Sequence, residues 1–600
     1  MTTNSEINDR IDGHTVCGRF VETVNSLPDQ VGLRWKDAED AWHELTYRKY
    51  GELVARAVNG LKASGLGKGD RIALMMANRY EFHILDMAAL FIGAVPISIY
   101  NSSSAEQVAY LVSDANATMA FVEDDNFLAR FRESASDMPN LRQVGVVDPG
   151  PGTQVDMTFA EIVKAEQADL GAAAGEAKPD DLVTLIYTSG TTGPSKGVML
   201  DHRNVCWTAE SLLEAMAIDD FSGKRQVSYL PMAHIAERMT SHYLAAIAGS
   251  EVTCCPDPTL FAAYAGEVRP QLMFGVPRVW EKIAAGVQAA LAADPEKDKA
   301  VREAVEAAAP IAEKMTWGEI TAEERETYEF LDAVAFSTIR QLVGLDQLIV
   351  AISGAAPLSA ELMSWFRTIG VPLSEIYGLS ETSGPMTWDA YKVKPGYVGR
   401  AIPGMEVRLD DDGEVLCRGG NVFRGYLNQP ELTAEVLDND GWFRSGDIGE
   451  FDDEGYLKIV DRKKELIITA GGKNLSPANL EAALKQIPLV GQAIVIGDQR
   501  PFVSALVVLD PDYAPQWAAN NGIDYDDMEQ LASNPAVVAE IESGLTEVMA
   551  KFSNAERVKK VKVMGEEWMP DTDLLTPTSK LKRRGIHARF QQEIDALYQN

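Results

Sequence analysis

Residues 187–197 of the chain, YTSGTTGPSKG, follow directly on the apolar run 182–186, LVTLI, and this junction decides the fold. The apolar run predicts a buried strand, because it is short and is followed by turn residues. The segment behind it is dominated by glycine, serine, threonine and proline, with Lys196 near its end. A glycine-rich turn after a strand offers backbone N–H groups to an anion, and hydroxyl side chains add donors. The pattern therefore favours a phosphate-binding loop, with a solvated surface loop as the alternative.

This loop is not a Walker A motif, which requires GxxxxGK followed by serine or threonine. With Gly190 as the first glycine, Ser195 stands where the second glycine is needed. Gly197 follows Lys196 in the place of the hydroxyl residue. A different phosphate chemistry is therefore needed.

The composition is that of a large globular α/β protein. With 600 residues, 46% of them hydrophobic and 24% charged, the chain is expected to form at least two folding units. The first residues contain no secretory signal pattern, and the longest apolar stretch, residues 87–100, is shorter than a membrane-spanning helix. We expect a cytoplasmic protein, and leave open a peripheral contact with the inner face of the membrane. The cysteines show no ligand or CxxC spacing, so we expect buried, reduced thiols.

The net charge of −34 argues against a nucleic-acid partner, because binding to a phosphate backbone requires clustered lysine and arginine. The same charge makes local basic clusters informative, since an anionic ligand must be held against an unfavourable general field. Two such clusters occur, RKK at 462–464 and KLKRR at 580–584.

Alternating strand and helix patterns predict an α/β fold of crossover units on largely parallel sheets. The first unit has a strand over residues 71–75, a helix over 81–91 and a strand over 95–100. Further strands are predicted over 118–122, 182–187, 226–230, 251–255 and 348–352. The alanine- and charge-rich stretch 281–340, broken at Asp294-Pro295, predicts a helical hairpin inserted for structural reasons.

The chain changes character near residue 461, where segments rich in Asp-Gly turns give way to a compact strand and helix pattern. We expect a large N-terminal domain over 1–460 that includes a β-subdomain, and a smaller α+β domain over 465–600. Ser476 and Pro477 mark a helix start, a capping hydroxyl followed by a first-turn proline.

Five segments, in this order, resemble the motifs of the acyl-adenylate-forming superfamily, which covers acyl-CoA synthetases, peptide-synthetase adenylation domains and firefly luciferase. They are YTSGTTGPSKG at 187–197, YGLSET at 377–382, GWFRSGD at 441–447, DRKK at 461–464 and LTPTSK at 575–580. The strings GGKNLSPANLE and LLTPTSKLKRR, with the insertion after Trp280, look most like bacterial long-chain fatty acyl-CoA synthetases.

The resemblance implies an enzyme that converts a fatty acid and ATP into acyl-AMP and pyrophosphate, and then transfers the acyl group to coenzyme A. Two anions meet in the first step, so catalysis is expected to depend on charge compensation and positioning. The implied catalytic residues are Lys580, Glu381 and His234. Thr188 and Glu381 are implied as Mg²⁺ ligands, since Mg²⁺ prefers oxygen ligands shared with substrate phosphates.

The resemblance further implies that residues 461–464 form a hinge and that the C-terminal domain over 465–600 is mobile. It also implies a set of residues that bind ATP or coenzyme A. Asp447 and Arg462 are expected at the ribose, Gly354, Ala355 and Glu375 at the adenine, Gly471 and Gly472 at the pantetheine arm, and Lys464 at the hinge pivot. The remaining implied positions are Thr188, Ser189, Gly190, Thr191, Thr192, Gly193, Lys196, Tyr377, Gly378 and Ser380.

The sequence departs from the family pattern at two places. Ser380 replaces the usual threonine and keeps the hydroxyl, so we expect little change in phosphate contact. Arg238 stands where some long-chain members have a tryptophan gate over the acyl tunnel, which puts an aromatic gate in doubt. In the basic cluster after Lys580, we expect the side chains of Lys582, Arg583 and Arg584 to be solvated.

Two other functions stay open at this point: a fatty acyl-AMP ligase that loads a carrier protein, and an inactive lipid- or nucleotide-binding scaffold. An inactive scaffold would be expected to have lost the residue types of Glu381 or Lys580, and both are present. The sequence does not indicate the acyl chain length, the oligomeric state or the pathway.

Overall fold

A computed structural model describes residues 2–188, 194–468, 474–554, 556–569, 572–576 and 580–599. The chain forms two compact units. Unit 1 consists of Met1–Ala355, Glu361–Arg408 and Leu416–Arg444, and unit 2 of Ala356–Ala360, Leu409–Val415 and Ser445–Asn600.

Strands are found along the whole described chain. They are β1 (Val31–Lys36), β2 (Trp42–Thr46), β3 (Arg71–Met75), β4 (Val95–Ser98), β5 (Met119–Val122), β6 (Gln143–Val146), β7 (Met157–Thr158), β8 (Leu182–Thr188), β9 (Lys196–Asp201), β10 (Arg225–Ser228), β11 (Glu251–Cys254), β12 (Leu272–Gly275), β13 (Val350–Ser353), β14 (Leu373–Glu375), β15 (Tyr377–Leu379), β16 (Gly384–Trp388), β17 (Arg400–Ala401), β18 (Glu406–Leu409), β19 (Glu414–Arg418), β20 (Phe443–Phe451), β21 (Leu457–Arg462), β22 (Ile467–Ile468), β23 (Asn474–Leu475), β24 (Val490–Ile496), β25 (Val503–Leu509) and β26 (Val558–Met564).

Helices alternate with these strands. They are α1 (Asn4–Arg10), α2 (Val16–Ser26), α3 (Tyr47–Ala63), α4 (Tyr80–Ile92), α5 (Ala105–Asp114), α6 (Asp125–Glu133), α7 (Phe159–Ile162), α8 (Leu170–Glu176), α9 (His202–Met216), α10 (Ile235–Glu237), α11 (Ala245–Ala248), α12 (Phe261–Val268), α13 (Pro277–Ala292), α14 (Pro295–Trp317), α15 (Ala322–Leu331), α16 (Ser337–Leu342), α17 (Ala360–Thr368), α18 (Pro430–Val436), α19 (Pro477–Leu484), α20 (Tyr513–Asn520), α21 (Met528–Ala532), α22 (Pro535–Val548), α23 (Arg583–Arg589) and α24 (Gln591–Ala596).

The largest sheet of unit 1 has seven strands in the order β7-β6-β5-β3-β4-β8-β9. All neighbouring pairs are parallel except β8 and β9, which form an antiparallel hairpin. Its central strands are buried except for Arg71 at the start of β3, and they are mostly apolar on both faces, as expected for a parallel sheet covered by crossover helices.

Three further sheets lie entirely within unit 1. The first has the order β10-β11-β1-β2 and is parallel except for the β1/β2 pair. The second, β12-β13-β14, is fully parallel, and the third, β15-β16-β17, is antiparallel. The parallel β12-β13-β14 sheet and the β15-β16 hairpin carry most of the predicted nucleotide residues.

Unit 2 has a β20/β21 hairpin and a mixed sheet in the order β24-β25-β26. One apolar cluster packs α19, α20 and α22 on the mixed sheet, and a second packs α23 and α24 on it. Ser476 caps α19 by accepting a hydrogen bond from the N–H of Asn479, with Pro477 in the first turn, which confirms the predicted helix start.

The predicted α/β fold with a large and a small part is confirmed, and the predicted strands lie within a few residues of the observed ones. The prediction of a single helical hairpin over 281–340 is incomplete, because this stretch contains more than two helices. The break at Asp294 is correct, because its side chain caps α14, but the chain reverses again at Gly318, which has a φ of +75°. All five cysteines are buried, as expected. None of the helices in the described part combines the length and apolar composition needed to cross a bilayer.

Candidate functional site

The predicted phosphate loop connects the two strands of the β8/β9 hairpin. Thr188 ends β8 and is paired with Lys196, the first residue of β9, and Tyr187 is paired with Gly197. The predicted strand before the loop is therefore confirmed, and the two ends of the loop are adjacent in space. Five predicted loop residues lie outside the described residues: Ser189, Gly190, Thr191, Thr192 and Gly193.

Glu381 lies in a tight turn between the antiparallel strands β15 and β16. The hydroxyl of Thr382 accepts from the N–H of Leu379 at 3.0 Å and donates to the carbonyl of Gly384 at 2.8 Å, which closes the turn. Asn421 donates to the carbonyls of Thr382 and Pro385, both at 2.9 Å. The half-buried Glu381 side chain is thus presented by a backbone that is fixed on both sides.

Gly378 is required by the close approach of the two strands that carry Glu381. A Cβ at this position would lie 1.8 Å from the carbonyl oxygen of Gly384, which is far inside van der Waals contact. Tyr377 and Ser380, on either side of the Gly378–Leu379 pair, are half-buried. The glycine of the YGLSE string is therefore a packing requirement as well as a motif residue.

Tyr426, which no sequence pattern singled out, contacts both Glu381 and Lys196. Its hydroxyl donates to Oε1 of Glu381 at 2.8 Å, and the ammonium of Lys196 lies 5.2 Å from the centroid of its ring. The segment around Tyr426 pairs with β9, through a bridge to Val198. The Glu381 carboxylate and the Lys196 ammonium, which come from distant motifs, therefore contact the same tyrosine near the end of the β8/β9 hairpin.

The predicted adenine residues leave the carboxyl edge of the parallel β12-β13-β14 sheet, where α/β folds usually bind ligands. Gly354 and Ala355 follow β13, and Glu375 ends β14 paired with Ser353. Ala355 has a φ of +71°, a left-handed conformation that costs a residue with a Cβ roughly 1 kcal/mol. The buried hydroxyl of Ser353 has no hydrogen-bond partner within the described residues, so this edge offers a donor to a ligand.

His234 is half-buried and caps the short helix α10. Its Nδ1 accepts a hydrogen bond from the N–H of Ala236 at 3.2 Å. The neutral ring then carries its proton on Nε2, which leaves that atom as the donor.

Arg238, one turn after His234, is a core residue. Its side chain is fully buried and forms an ion pair with the equally buried Asp86. It also hydrogen-bonds the hydroxyls of Ser98 and Tyr243. His242 donates from Nε2 to the other oxygen of Asp86 at 2.9 Å. The guanidinium is therefore held in the core by residues of α4 and β4.

In unit 2, Asp447 and Arg462 are brought together as predicted. They are cross-strand neighbours in the β20/β21 hairpin, and Nε of Arg462 lies 3.1 Å from Oδ1 of Asp447. Asp447 is buried and Arg462 is exposed, so the carboxylate of this pair lies inside the protein and the guanidinium lies at its surface.

Lys463 has a structural partner set that explains part of the first basic cluster. Its ammonium lies 2.5 Å from Asp412 and 3.0 Å from the buried Glu414, which also accepts from the N–H of Gly446 at 3.0 Å. Within the described ranges, one group of acidic residues is spaced closely enough to hold a metal ion: Asp410, Asp412 and Glu414. Two of these three, Asp412 and Glu414, form ion pairs with Lys463.

The proposed hinge region is anchored at its first residue. Asp461 is buried and accepts from the hydroxyl of Ser476 at 2.7 Å and from the N–H of Ala478 at 3.1 Å, at the start of α19. Lys464 is exposed. Gly471 and Gly472, predicted at the pantetheine arm, lie outside the described residues.

Lys580 is part of a closed loop. Its N–H donates to the hydroxyl of Thr576 at 3.0 Å, its carbonyl accepts from the N–H of Thr576 at 2.8 Å, and Leu575 and Leu581 form a bridge. The expectation that Arg583 is solvated is wrong. Its guanidinium forms a two-pronged ion pair with the buried Glu481, because that carboxylate needs a partner inside unit 2.

Glu381 and Thr188 fit a hard divalent cation such as Mg²⁺. Both supply oxygen, Tyr426 fixes one carboxylate oxygen of Glu381 and leaves the other, and Lys196 near the same hairpin end would add charge for phosphates. This donor set suits an ion that shares its ligands with substrate phosphates rather than one enclosed by the protein.

Two family models match the chain. A model described as AMP-binding enzyme matches residues 20–427, and one described as AMP-binding enzyme C-terminal domain matches residues 464–600.

Relatives and a solved structure align over nearly the whole length. The long-chain-fatty-acid–CoA ligase FadD15 of Mycobacterium bovis is 35% identical over 591 residues, which cover 97% of each chain. The long-chain-fatty-acid–CoA ligase ACSBG2 of Xenopus laevis is 32% identical over 640 residues, which cover 98% of this chain and 84% of the relative. The adenylation domain of a carboxylate reductase from Mycobacterium chelonae matches with a TM-score of 0.77 and 22% identity, covering 100% of this chain and 93% of that structure.

Proposed function

We propose that this chain, which belongs to the AMP-binding enzyme family, is a long-chain fatty acid–CoA ligase. The two relatives named as such ligases align with almost all of it, which supports the same reaction and substrate class. In the first step a carboxylate oxygen of the fatty acid attacks the α-phosphorus of ATP and pyrophosphate leaves. In the second step the thiolate of coenzyme A attacks the acyl carbon and AMP leaves.

The observation that carries this proposal is the meeting of Glu381 and Lys196 through Tyr426. A carboxylate can hold the magnesium ion that accompanies ATP, and an ammonium can hold phosphate oxygens directly. Both lie at the end of the hairpin whose loop the sequence predicts to bind phosphates. Mg²⁺, when bound at Glu381 and Thr188, supplies neutralisation of the charge on the phosphates.

The remaining residues are assigned by the part of the substrate that each suits. The small residues Gly354 and Ala355 let backbone approach the adenine, Glu375 adds an acceptor, and the Ser353 hydroxyl adds a donor. Asp447 accepts from the ribose hydroxyls.

Lys580 and His234 act where the acyl group meets the α-phosphate. Lys580 compensates the negative charge that accumulates when carboxylate and phosphate approach each other. His234, whose Nδ1 accepts from the N–H of Ala236, is assigned to the same junction by its place in the family pattern. We assign the two half-reactions to different orientations of the domain over 465–600, with 461–464 as the hinge, Lys464 as the pivot, and Gly471 and Gly472 at the pantetheine arm.

The test uses the full chain with Mg²⁺·ATP and a series of saturated fatty acids from short to long. We expect fatty-acid-dependent exchange of label between pyrophosphate and ATP, and a thioester with coenzyme A that forms best with long chains. A thioester formed on a holo-carrier protein and never on coenzyme A would identify a carrier-loading ligase instead. Nucleotide binding without exchange for any acid would identify an inactive scaffold.

A further inference from the structure

Arg583 connects three segments of unit 2 that lie apart along the chain. Its Nη1 and Nη2 donate to Oε1 and Oε2 of Glu481 at 2.6 and 2.9 Å. Its Nε donates to Oε2 of Glu465 at 3.2 Å. Glu481 lies on α19, Glu465 directly follows the proposed pivot Lys464, and Arg583 begins α23, three residues after Lys580. One guanidinium therefore contacts the hinge exit and the core of the small unit at once.

The link from Arg583 back to Lys580 is short and well fixed. The N–H of Lys582 donates to the carbonyl of Leu574 at 2.8 Å, and the Lys582 ammonium donates to the carbonyl of Thr572 at the same distance. Together with the Leu575–Leu581 bridge and the two bonds between Thr576 and Lys580, these contacts close the loop at its base. Arg583 therefore directly follows a segment, residues 580–582, that is hydrogen-bonded to residues 572–576.

The Arg583 guanidinium neutralises the buried Glu481 carboxylate without any contribution from Glu465. Glu481 is buried, with 8% of its side chain exposed, and also accepts from the N–H of Val495 at 2.8 Å. Burial raises the pKa of Glu481, and Arg583 opposes this shift. Glu465 is more exposed, at 22% of its side chain, and water could replace its partner at little cost. The contact between Arg583 and Glu465 is therefore not needed to neutralise a buried charge.

We infer that Arg583 is a positioning residue that couples the hinge exit at Glu465 to the loop of Lys580. Because of this coupling, Glu465 and Lys580 move as one rigid body. Each conformation of the hinge 461–464 then gives one position of the Lys580 ammonium group. This inference rests on the proposed function, because it assumes that Lys580 acts in acyl-AMP formation and that residues 461–464 form the hinge.

The decisive variant is Glu465→Gln, which removes the charge of the hinge contact and leaves the buried Arg583–Glu481 pair intact. Asp595→Asn is the matched control, because it likewise removes the carboxylate charge from an ion pair of the same unit, the one with Arg500 at 2.8 Å. Arg583→Met leaves the buried Glu481 carboxylate without a cationic partner and can fail to fold. Arg583→Lys keeps the charge but loses the two-pronged hydrogen bonding, and it serves as the conservative variant.

Each variant is measured for fatty-acid-dependent pyrophosphate exchange, for transfer of the acyl group from supplied acyl-AMP to coenzyme A, and for thermal unfolding. For Glu465→Gln we expect the kcat of exchange to fall about tenfold, with the KM for ATP, the transfer step and Tm unchanged, because a small misplacement of a reacting group is costly. Arg583→Lys should show an intermediate loss in exchange, and Asp595→Asn none.

Unchanged exchange in Glu465→Gln, or an equal loss in both half-reactions, would overturn the coupling while wild-type exchange still supports the proposed function. Absence of exchange and thioester in the wild-type protein would overturn the proposed function, and the coupling with it.

Discussion

The hydroxyl of Tyr426 donates a 2.8 Å hydrogen bond to Oε1 of Glu381, and the ring of the same tyrosine lies under the ammonium of Lys196. A single aromatic side chain thereby fixes the orientation of the carboxylate proposed to hold Mg²⁺ and the position of a cation proposed to hold phosphate. Because the bond engages Oε1, we propose Oε2 of Glu381 as the ligand for the metal.

Tyr426→Phe should raise the Mg²⁺ concentration required for half-maximal exchange about tenfold, since partners that orient a metal ligand typically contribute this much to metal affinity. The measurement is pyrophosphate exchange across a Mg²⁺ titration at fixed ATP. Tyr391→Phe is the control, because Tyr391 hydrogen-bonds the carbonyl of Met216 away from the site. An unchanged Mg²⁺ requirement in Tyr426→Phe would show that the hydroxyl does not orient Glu381.

Gly378→Ala should abolish exchange and destabilise the protein by about 2 kcal/mol, because the added Cβ collides with the carbonyl of Gly384 and separates the strands that present Glu381. Denaturant unfolding and exchange are measured together. Gly175→Ala, where a Cβ meets nothing within 4 Å, should leave both unchanged. Wild-type activity in Gly378→Ala would contradict the packing described for this turn.

Lys580→Ala should slow acyl-AMP formation by at least about 100-fold, the scale on which a single charge-stabilising donor contributes to a rate. Transfer from supplied acyl-AMP to coenzyme A should stay near the wild-type rate, because the ammonium is needed where two anions meet. Both half-reactions are measured by quench and chromatography of the acyl products. Equal damage to both steps would remove Lys580 from the first step.

Glu237 predicts a pH dependence of stability. Burial raises its pKa from 4.5 to about 7, against hydrogen bonds from Ser228 and Ser241. The folded protein then binds this proton more tightly than the unfolded chain, so stability falls as the pH rises from about 4.5 to about 7 and is level above that.

Glu237→Gln, which mimics the protonated acid, should therefore gain stability relative to the wild type across this range, up to about 3 kcal/mol at alkaline pH. Urea unfolding at acidic and at alkaline pH measures the difference. Ser222 hydrogen bonds lower the pKa of the exposed Asp220, so Asp220→Asn provides a comparison in which no such gain is expected. A pH-independent difference for Glu237→Gln would contradict the assignment.

The Arg238–Asp86 pair predicts strong non-additivity. Removing one partner, in Asp86→Leu or in Arg238→Met, leaves the other charge buried and should cost about 3–5 kcal/mol of unfolding free energy. The double variant should recover much of this loss, because both charges are then absent. Urea unfolding of all four proteins gives the cycle. Additive losses would mean that the two side chains do not act as a pair.

Sequence reasoning reached the elements that local patterns encode. The strand before the loop, the cap at Ser476 and the break at Asp294 were predictable, because alternation, capping residues and proline act over a few neighbouring positions. The motif residues Glu381, Asp447 and Lys580 were found by resemblance, and their roles in catalysis stay predictions. Tyr426, Asn421 and Glu414 carry no local signal, so the sequence did not select them.

By itself, then, the sequence determined the α/β class, the order of the elements and the motif chemistry, since each depends on the residue types within a short window. Only the tertiary structure decided that Tyr426 joins Glu381 to Lys196, that Arg238 is a buried partner of Asp86, and that Arg583 is bound by Glu481 rather than solvated. The physical reason is that a buried charge or hydroxyl is fixed by whichever partner packing brings to it, and that partner lies far away along the chain.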